Sequence, residues 1–305
     1  MPRTARAPLA AFLTLCLLGS LGPLRSELGP AVTPSAAPPW LLPAWPFALA
    51  AIAAAVFALL RHHLWPSVRD LRRASLIGMG IFALPAFTLH CVQVWIDPFT
   101  QVTLLALAPV FTVVLQPHIA PNSALPRHAL AAGLAAAAGL MLVFPFQLPG
   151  TFAAFAAWLA GAFAVVVVAA SYCCANHIAS QLSRSCMAPL AATASGASAA
   201  VFLLAGIAEQ ALGLHVAASG AGLVWPVLVD VPSILLLFWL LPRLSAARIA
   251  SHFILSPLFS SLAGIFLIRP TLSVRDAAGL TLAAAGSAWL LAGPASRPDP
   301  ESSLL

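Results

Sequence analysis

Asp230 is the residue of this sequence whose position most needs a chemical explanation. It is flanked by Leu228, Val229 and Val231, eight residues into an apolar run that starts at Gly222. If that run crosses a bilayer, the carboxyl lies near its centre, where an Asp costs about 2.5 to 3.5 kcal/mol on insertion scales. A group held there faces a bundle interior. It either couples transport to protons or binds a cation, or it ties helices together through a hydrogen bond. His90 and Gln93, three residues apart, share one face of another apolar run. They suit hydrogen bonding to a polar solute, or between helices. Tyr172, the single tyrosine, and Asn176 are four apart at the inner end of a third run. Together they would line a cytoplasmic mouth, or Tyr172 would act as an interfacial anchor.

Pro109 and Pro257 also fall inside apolar runs. Each removes a helical hydrogen bond and leaves the carbonyl four residues earlier, at Leu105 and Phe253, without that donor. Kinks of this kind beside a cavity present polar backbone to a solute or act as hinges. One enzymatic pattern competes: Gly196-Ala-Ser198-Ala-Ala loosely matches the serine motif of intramembrane proteases, with His252 as the base. In a chain so rich in Ser, Gly and Ala the match is weak. There is no HExxH or paired-carboxylate motif, and a P-loop requires a Lys, which the chain lacks. Cys16, Cys91, Cys173, Cys174 and Cys186 form no CxxC pair and no disulfide framework. Neither a cofactor nor a metal is expected.

The elements that hold these residues follow from composition. The chain has 305 residues, 61% hydrophobic and 7% charged, with mean hydropathy +0.99. A soluble domain carries about 25% charged residues, so the solvent of this chain is the lipid bilayer. Ten membrane helices would use about 200 residues, leaving only short loops and no room for a nucleotide-hydrolysing or DNA-reading domain. The net charge of +6 therefore reports orientation in a membrane, and nucleic acid is not an expected partner.

Apolar runs bounded by Arg, Pro and Gly predict ten transmembrane helices: Leu9 to Leu24, Leu41 to Leu60, Ala74 to Ile96, Phe99 to Gln116, Ala129 to Phe146, Phe152 to Cys174, Met187 to Ile207, Gly222 to Leu241, Ala246 to Ile268 and Ala277 to Gly293. The first also has the make-up of a signal peptide, but Leu18 to Pro23 offers only a poor cleavage site, so it is expected to stay as a span. With ten spans and both termini cytoplasmic, eleven Arg residues lie inside: Arg3, Arg6, Arg61, Arg69, Arg72, Arg73, Arg127, Arg184, Arg243, Arg248 and Arg297. Three, Arg25, Arg269 and Arg275, lie outside, a strong positive-inside bias.

The sequence also repeats itself. Leu107-Ala-Pro109-Val-Phe111-Thr in the fourth run is answered by Leu255-Ser-Pro257-Leu-Phe259-Ser in the ninth, the prolines 148 residues apart. An Ala-rich run follows each, ending at Gly139 and at Gly286. Five spans per copy is an odd number, so the copies would enter the membrane from opposite faces, as in many secondary transporters. Small residues at four-residue spacing, Ala131-Ala135-Gly139 and Gly279-Ala283-Ser287, allow close helix approach within one chain or in a homodimer.

With this pattern of a mid-helix proline, a short loop and a Gly-containing final helix in each half, the sequence resembles the drug/metabolite transporter superfamily, specifically its EamA-type ten-helix members. The resemblance runs from about residue 40 onward and is best over Trp95 to Gly139 and Arg248 to Trp289. It implies an all-α integral membrane protein of ten transmembrane helices in a 5+5 inverted repeat: residues 1–146, residues 147–293 and a cytoplasmic tail at 294–305. It further implies alternating-access transport of small metabolites, amino acids or toxic compounds, commonly outward, across the bacterial cytoplasmic membrane. Members often carry a Glu about twelve residues after the proline; here those places hold Pro121 and Arg269. Losing both carboxylates keeps open the alternative of a non-transporting membrane scaffold.

Overall fold

A chain this poor in polar side chains has to satisfy its backbone from within, and helices do so locally. The computed structural model describes residues 3–28, 34–35, 41–63, 65–93, 95–120, 127–144, 149–181, 186–212, 218–219, 226–268 and 272–292. Over these the chain is all-α apart from a two-residue antiparallel pairing of Pro34–Ser35 with Ala218–Ser219. The helices are α1 (Arg3–Leu28), α2 (Leu41–Leu60), α3 (Val68–Gly78), α4 (Leu84–Val92), α5 (Pro98–Leu105), α6 (Ala108–Ile119), α7 (Arg127–Val143), α8 (Phe152–Gln181), α9 (Met187–Ala211), α10 (Val231–Leu240), α11 (Ala246–Ala250), α12 (His252–Ile268) and α13 (Val274–Ala292). A π turn, Met79–Ala83, fuses α3 to α4, and a second, Pro226–Asp230, leads into α10. With α5 running into α6 and α11 into α12, the described residues form ten helical rods.

Four rods are long and apolar enough to cross a membrane: Pro98–Ile119, Phe152–Gln181, Met187–Ala211 and Ala246–Phe266. The expected ten transmembrane helices in a 5+5 arrangement are therefore corrected to an all-α fold of ten helices, four of them of spanning length and composition among the described residues. The reason is that an apolar run and a helix end at different places. Ala7–Leu21, Ala44–Leu60, Arg127–Val143 and Val227–Leu240 are further apolar helical stretches. Helix α7, with 17 residues, reaches about 26 Å at 1.5 Å rise per residue, short of a hydrocarbon core about 30 Å thick. Arg69, Asp70, Arg72 and Arg73 open α3, and Arg275 and Asp276 open α13, so part of each of those helices is polar.

Apolar side chains also cover the outside. Phe152, Phe155, Leu159 and Phe163 of α8, Leu203, Leu204 and Ile207 of α9, and Ile52, Val56, Phe57 and Leu60 of α2 are all exposed. A soluble protein does not leave so much contiguous apolar surface to water, whereas acyl chains solvate it. Composition, helix length and this coat together describe a membrane-embedded, multi-spanning helical protein.

Inside, the tightest packing is between backbones. A Cβ on Gly139 of α7 would run into the Ala283 nitrogen of α13 and lie 2.7 Å from the Gly279 carbonyl oxygen. Reciprocally, a Cβ on Gly286 would lie 2.5 Å from the Ala136 nitrogen and 2.8 Å from the Ala132 oxygen. The small-residue stripes therefore meet within one chain, through Ala132, Ala136 and Gly139, while Ala131 is exposed. Gly78 makes a similar contact, with its α-carbon against the Ala194 backbone of α9.

Gly139→Ala and Gly286→Ala should each destabilise the fold by about 1–3 kcal/mol through overpacking. Gly264→Ala in α12 has nothing within 4 Å to meet and should be neutral or stabilising by up to about 1 kcal/mol. Thermal unfolding of the detergent-solubilised proteins separates the two groups; equal midpoints for all three would contradict the packing.

Candidate functional site

Two rods break in the interior, and the breaks meet. In the first, Ala106 donates to Val102 O at 3.0 Å and Leu107 to Leu104 O at 3.0 Å, a tighter turn, before α6 restarts at Ala108. Pro109 is in the first turn of α6, where its missing N–H is one the helix would not use. In the second, Ser251 donates to Ala247 O at 3.1 Å, and its own carbonyl accepts from Ile254 and Leu255 at 3.0 Å. Its hydroxyl donates to Arg248 O at 2.6 Å, the side-chain-to-backbone competition that interrupts helices. Pro257 lies six residues further on, inside α12, so the chain turns at the serine. Ala106 packs with Ile254, and Leu107 and Ala108 pack in one cluster with Phe253. Irregular backbone at this depth is tolerated only where protein buries it or a cavity uses it.

Helix α8 closes the third side. Tyr172 is 1% exposed, its ring centroid 6.0 Å from His252 and 6.2 Å from Phe253 in edge-on contacts, and the last two rings are 4.0 Å apart. His252 Nδ1 is 2.8 Å from the Ile249 carbonyl, which can only accept. That assigns the proton of a neutral ring to Nδ1 and makes Nε2 the acceptor. One residue along, the Cys173 thiol donates to Thr112 O at 3.4 Å. Asn176 Nδ2 donates to both Leu241 O and Leu244 O at 2.7 Å, tying α8 to the corner between α10 and α11. The sequence suggested that Asn176 lines a mouth; in the structure its amide hydrogens satisfy helix-end carbonyls.

The residues singled out in the sequence fall in several places. Pro109, Tyr172 and Asn176 gather around the crossing, and Pro257 is half-buried in α12. Asp230 ends the second π turn, half-buried, on a segment packed against α1 and α2. Gln93 is exposed just beyond α4, and the side chain of His90 lies outside the described residues, as do Pro121 and Arg269. Ser198 is buried and donates to the Ala194 carbonyl of its own helix at 3.0 Å, while His252 bonds to Ile249 O. No hydrogen bond joins the two among the described residues.

Sequence reasoning did not single out Ser251 at all, and it named Phe253, Thr112 and Cys173 without assigning their side chains to this site. It also missed Glu209. The seventh run was ended at Ile207, but α9 continues to Ala211, so Glu209 is helical and buried, its Oε2 accepting no hydrogen bond among the described residues. Among the described residues there is no group of three or more His, Cys, Asp or Glu that could hold a metal.

Asp97 anchors the first broken rod from outside its apolar segment. Its Oδ1 accepts from the Thr100 amide at 3.0 Å and its Oδ2 from the Thr100 hydroxyl at 2.6 Å, with Pro98 at the first helical position. Burial pushes its carboxyl upward, but the hydrogen bonds from Thr100 and Phe99 outweigh that and hold it below the usual 3.8.

No family model matches the chain, and no curated protein matches it in sequence. Solved structures do match. One crystal structure of a protein superposes with a TM-score of 0.73 over 94% of this chain and 99% of its own, at 19% identity. At that identity the likeness establishes the fold alone.

Two outcomes follow. Asn176→Leu keeps the size but leaves two carbonyls unsatisfied, so it should cost about 1–3 kcal/mol in detergent unfolding; an unchanged midpoint would mean that water replaces the amide at no cost. Asp97→Ala should cost about 1 kcal/mol through loss of the cap. Because folding lowers the Asp97 pKa, its contribution is present above 3.8 and fades as pH falls through the lower folded value. The stability gap between native protein and Asp97→Ala should therefore be full at neutral pH and close on acidification; a gap that persists in acid would rule out the charged cap.

Proposed function

We propose that this protein is a secondary transporter that moves small metabolites, amino acids or toxic compounds across the bacterial cytoplasmic membrane by alternating access, in the outward direction. The observation that carries this proposal is the meeting of two interrupted helices in the interior. Broken helices expose backbone dipoles where a solute can use them, and they hinge where continuous helices cannot. The resemblance to EamA-type drug/metabolite transporters supports it through the paired Pro109 and Pro257 segments. So do the two π turns, Met79–Ala83 and Pro226–Asp230, which lie 147 residues apart, nearly the offset of the prolines. Asp230 closes the second of these turns, a type of irregularity found frequently at functional sites. In this proposal Asp230 takes up and releases the coupling proton, and the crossing beside Tyr172 holds the solute. The Arg distribution supports cytoplasmic termini.

Flux in proteoliposomes under an imposed pH gradient, over a panel of amino acids, metabolites and toxic amines, tests it. The native protein should move at least one solute class, and Asp230→Asn, which keeps size and hydrogen bonding but cannot exchange a proton, should abolish gradient-driven flux while leaving the protein folded. Unchanged flux in the variant would remove Asp230 from the coupling role. A native protein that moves nothing in the panel would remove the transport assignment itself.

A further inference from the structure

The corner between α2 and α3 gathers positive charge that the rest of the protein answers only in part. Between residues 61 and 73 the chain has four Arg and one Asp. All four, Arg61, Arg69, Arg72 and Arg73, are exposed. The carboxylate is already engaged: Asp70 Oδ2 accepts from the Ser67 hydroxyl at 2.6 Å, and Oδ1 is 3.7 Å from Arg73. Among the described residues, Arg61, Arg69 and Arg72 have no carboxylate at ion-pair distance.

The backbone fixes how these groups are presented. Helix α2 ends in a paired cap, with His63 donating to Ala58 O at 2.8 Å and His62 to Leu59 O at 3.1 Å, and with His62 in the left-handed region at φ 51°. Helix α3 then opens on Ser67, whose hydroxyl accepts from the Asp70 amide at 3.2 Å. Arg61 stays at the end of α2, its guanidinium carbon 5.8 Å from the centre of the Phe57 ring. Arg69, Arg72 and Arg73 fall within an arc of about 100° around α3. That arc points away from the buried Ala74, Ile77 and Gly78, the last of which meets α9. The same exposed face continues to Leu76, about 10 Å further along the axis than Arg69. Leu76 is 66% exposed, Leu60 is 74% and Trp65 is 47%. Exposed arginines that give way along one helix to exposed apolar side chains match a membrane boundary, with cations at headgroup depth and their neighbours against acyl chains.

We infer that the α2–α3 corner is a binding site for an anionic phospholipid of the surrounding bilayer. Arg69 and Arg72, about one turn apart with roughly 5–6 Å between their β-carbons, take the lipid phosphodiester, whose two free oxygens suit guanidinium forks. Arg61 adds its charge from the end of α2, and the acyl chains run along Leu60 and Leu76. A zwitterionic lipid brings its own ammonium group into the same positive field and binds more weakly. A free phosphate has the charge but not the chains. Lipid binding is measured without flux, so the site stands or falls independently of the transport assignment.

The test is native mass spectrometry of the full chain in detergent, titrated with dioleoyl phosphatidylglycerol or dioleoyl phosphatidylcholine. The native protein should bind the anionic lipid about tenfold or more tightly than the zwitterionic one, a preference that shrinks as salt is raised. The double variant Arg69→Gln, Arg72→Gln alters only exposed side chains and should keep its unfolding midpoint while losing that preference. Arg127→Gln, an exposed arginine at the start of α7, removes the same kind of charge elsewhere and should retain it. Excess inorganic phosphate should not displace the bound lipid. Equal binding of the two lipids by the native protein would overturn the inference. So would a preference that survives the double variant, one that Arg127→Gln abolishes equally, or displacement by phosphate, which would mean a site for the free anion.

Discussion

An interrupted helix in an apolar interior leaves backbone donors and acceptors that water cannot reach, and much of this molecule is arranged around two such interruptions. At Ala106–Leu107 the chain tightens into a short turn, and at Ser251 one carbonyl serves two amides while the hydroxyl serves a third group. The same economy appears at helix ends, where Asn176 reaches from α8 to two carbonyls that α10 and its corner leave over. Each device is local in sequence or consists of one side chain, and together they let breaks occur at a depth where a bare break would be prohibitive.

The broken rods and α8 also bring together side chains that differ in what they can do. Tyr172, His252 and Phe253 form an aromatic corner whose polar atoms are few and specifically placed. Asp230 and Glu209 lie away from that corner, one half-buried on a π turn and the other buried near a helix end. A protein that is 7% charged keeps these two acids inside or beside helices, while fourteen of its other twenty charged residues are Arg. The separation divides the interior into a nearly neutral centre and two acidic outposts reached from different helices.

Much of this was legible in the amino-acid sequence, and the limits have physical causes. Runs bounded by Arg, Pro and Gly are helical because nothing else satisfies the backbone in apolar surroundings. Several of their ends were misread, since capping and polar first turns, as where Ser67 caps the Arg-rich start of α3, help decide where a helix begins, and hydropathy does not. The prolines drew attention to the right rods but not to the right bond: Pro109 sits harmlessly in a first turn, and in the other rod the chain breaks at Ser251, six residues before Pro257. Neither π turn has a composition that announces it. Glu209 escaped notice because an acid at the edge of an apolar run looks like the start of a loop, and only the continued helix shows that it turns inward.

The glycine seam between α7 and α13 has a mechanical meaning. With backbone touching backbone at Gly139, Ala283, Gly286 and Ala136, these two helices have no compliant side chains between them at those positions. Translating one along the other by a single residue would drive a methyl group into a peptide plane. Sliding of α7 along α13 is therefore resisted at this seam.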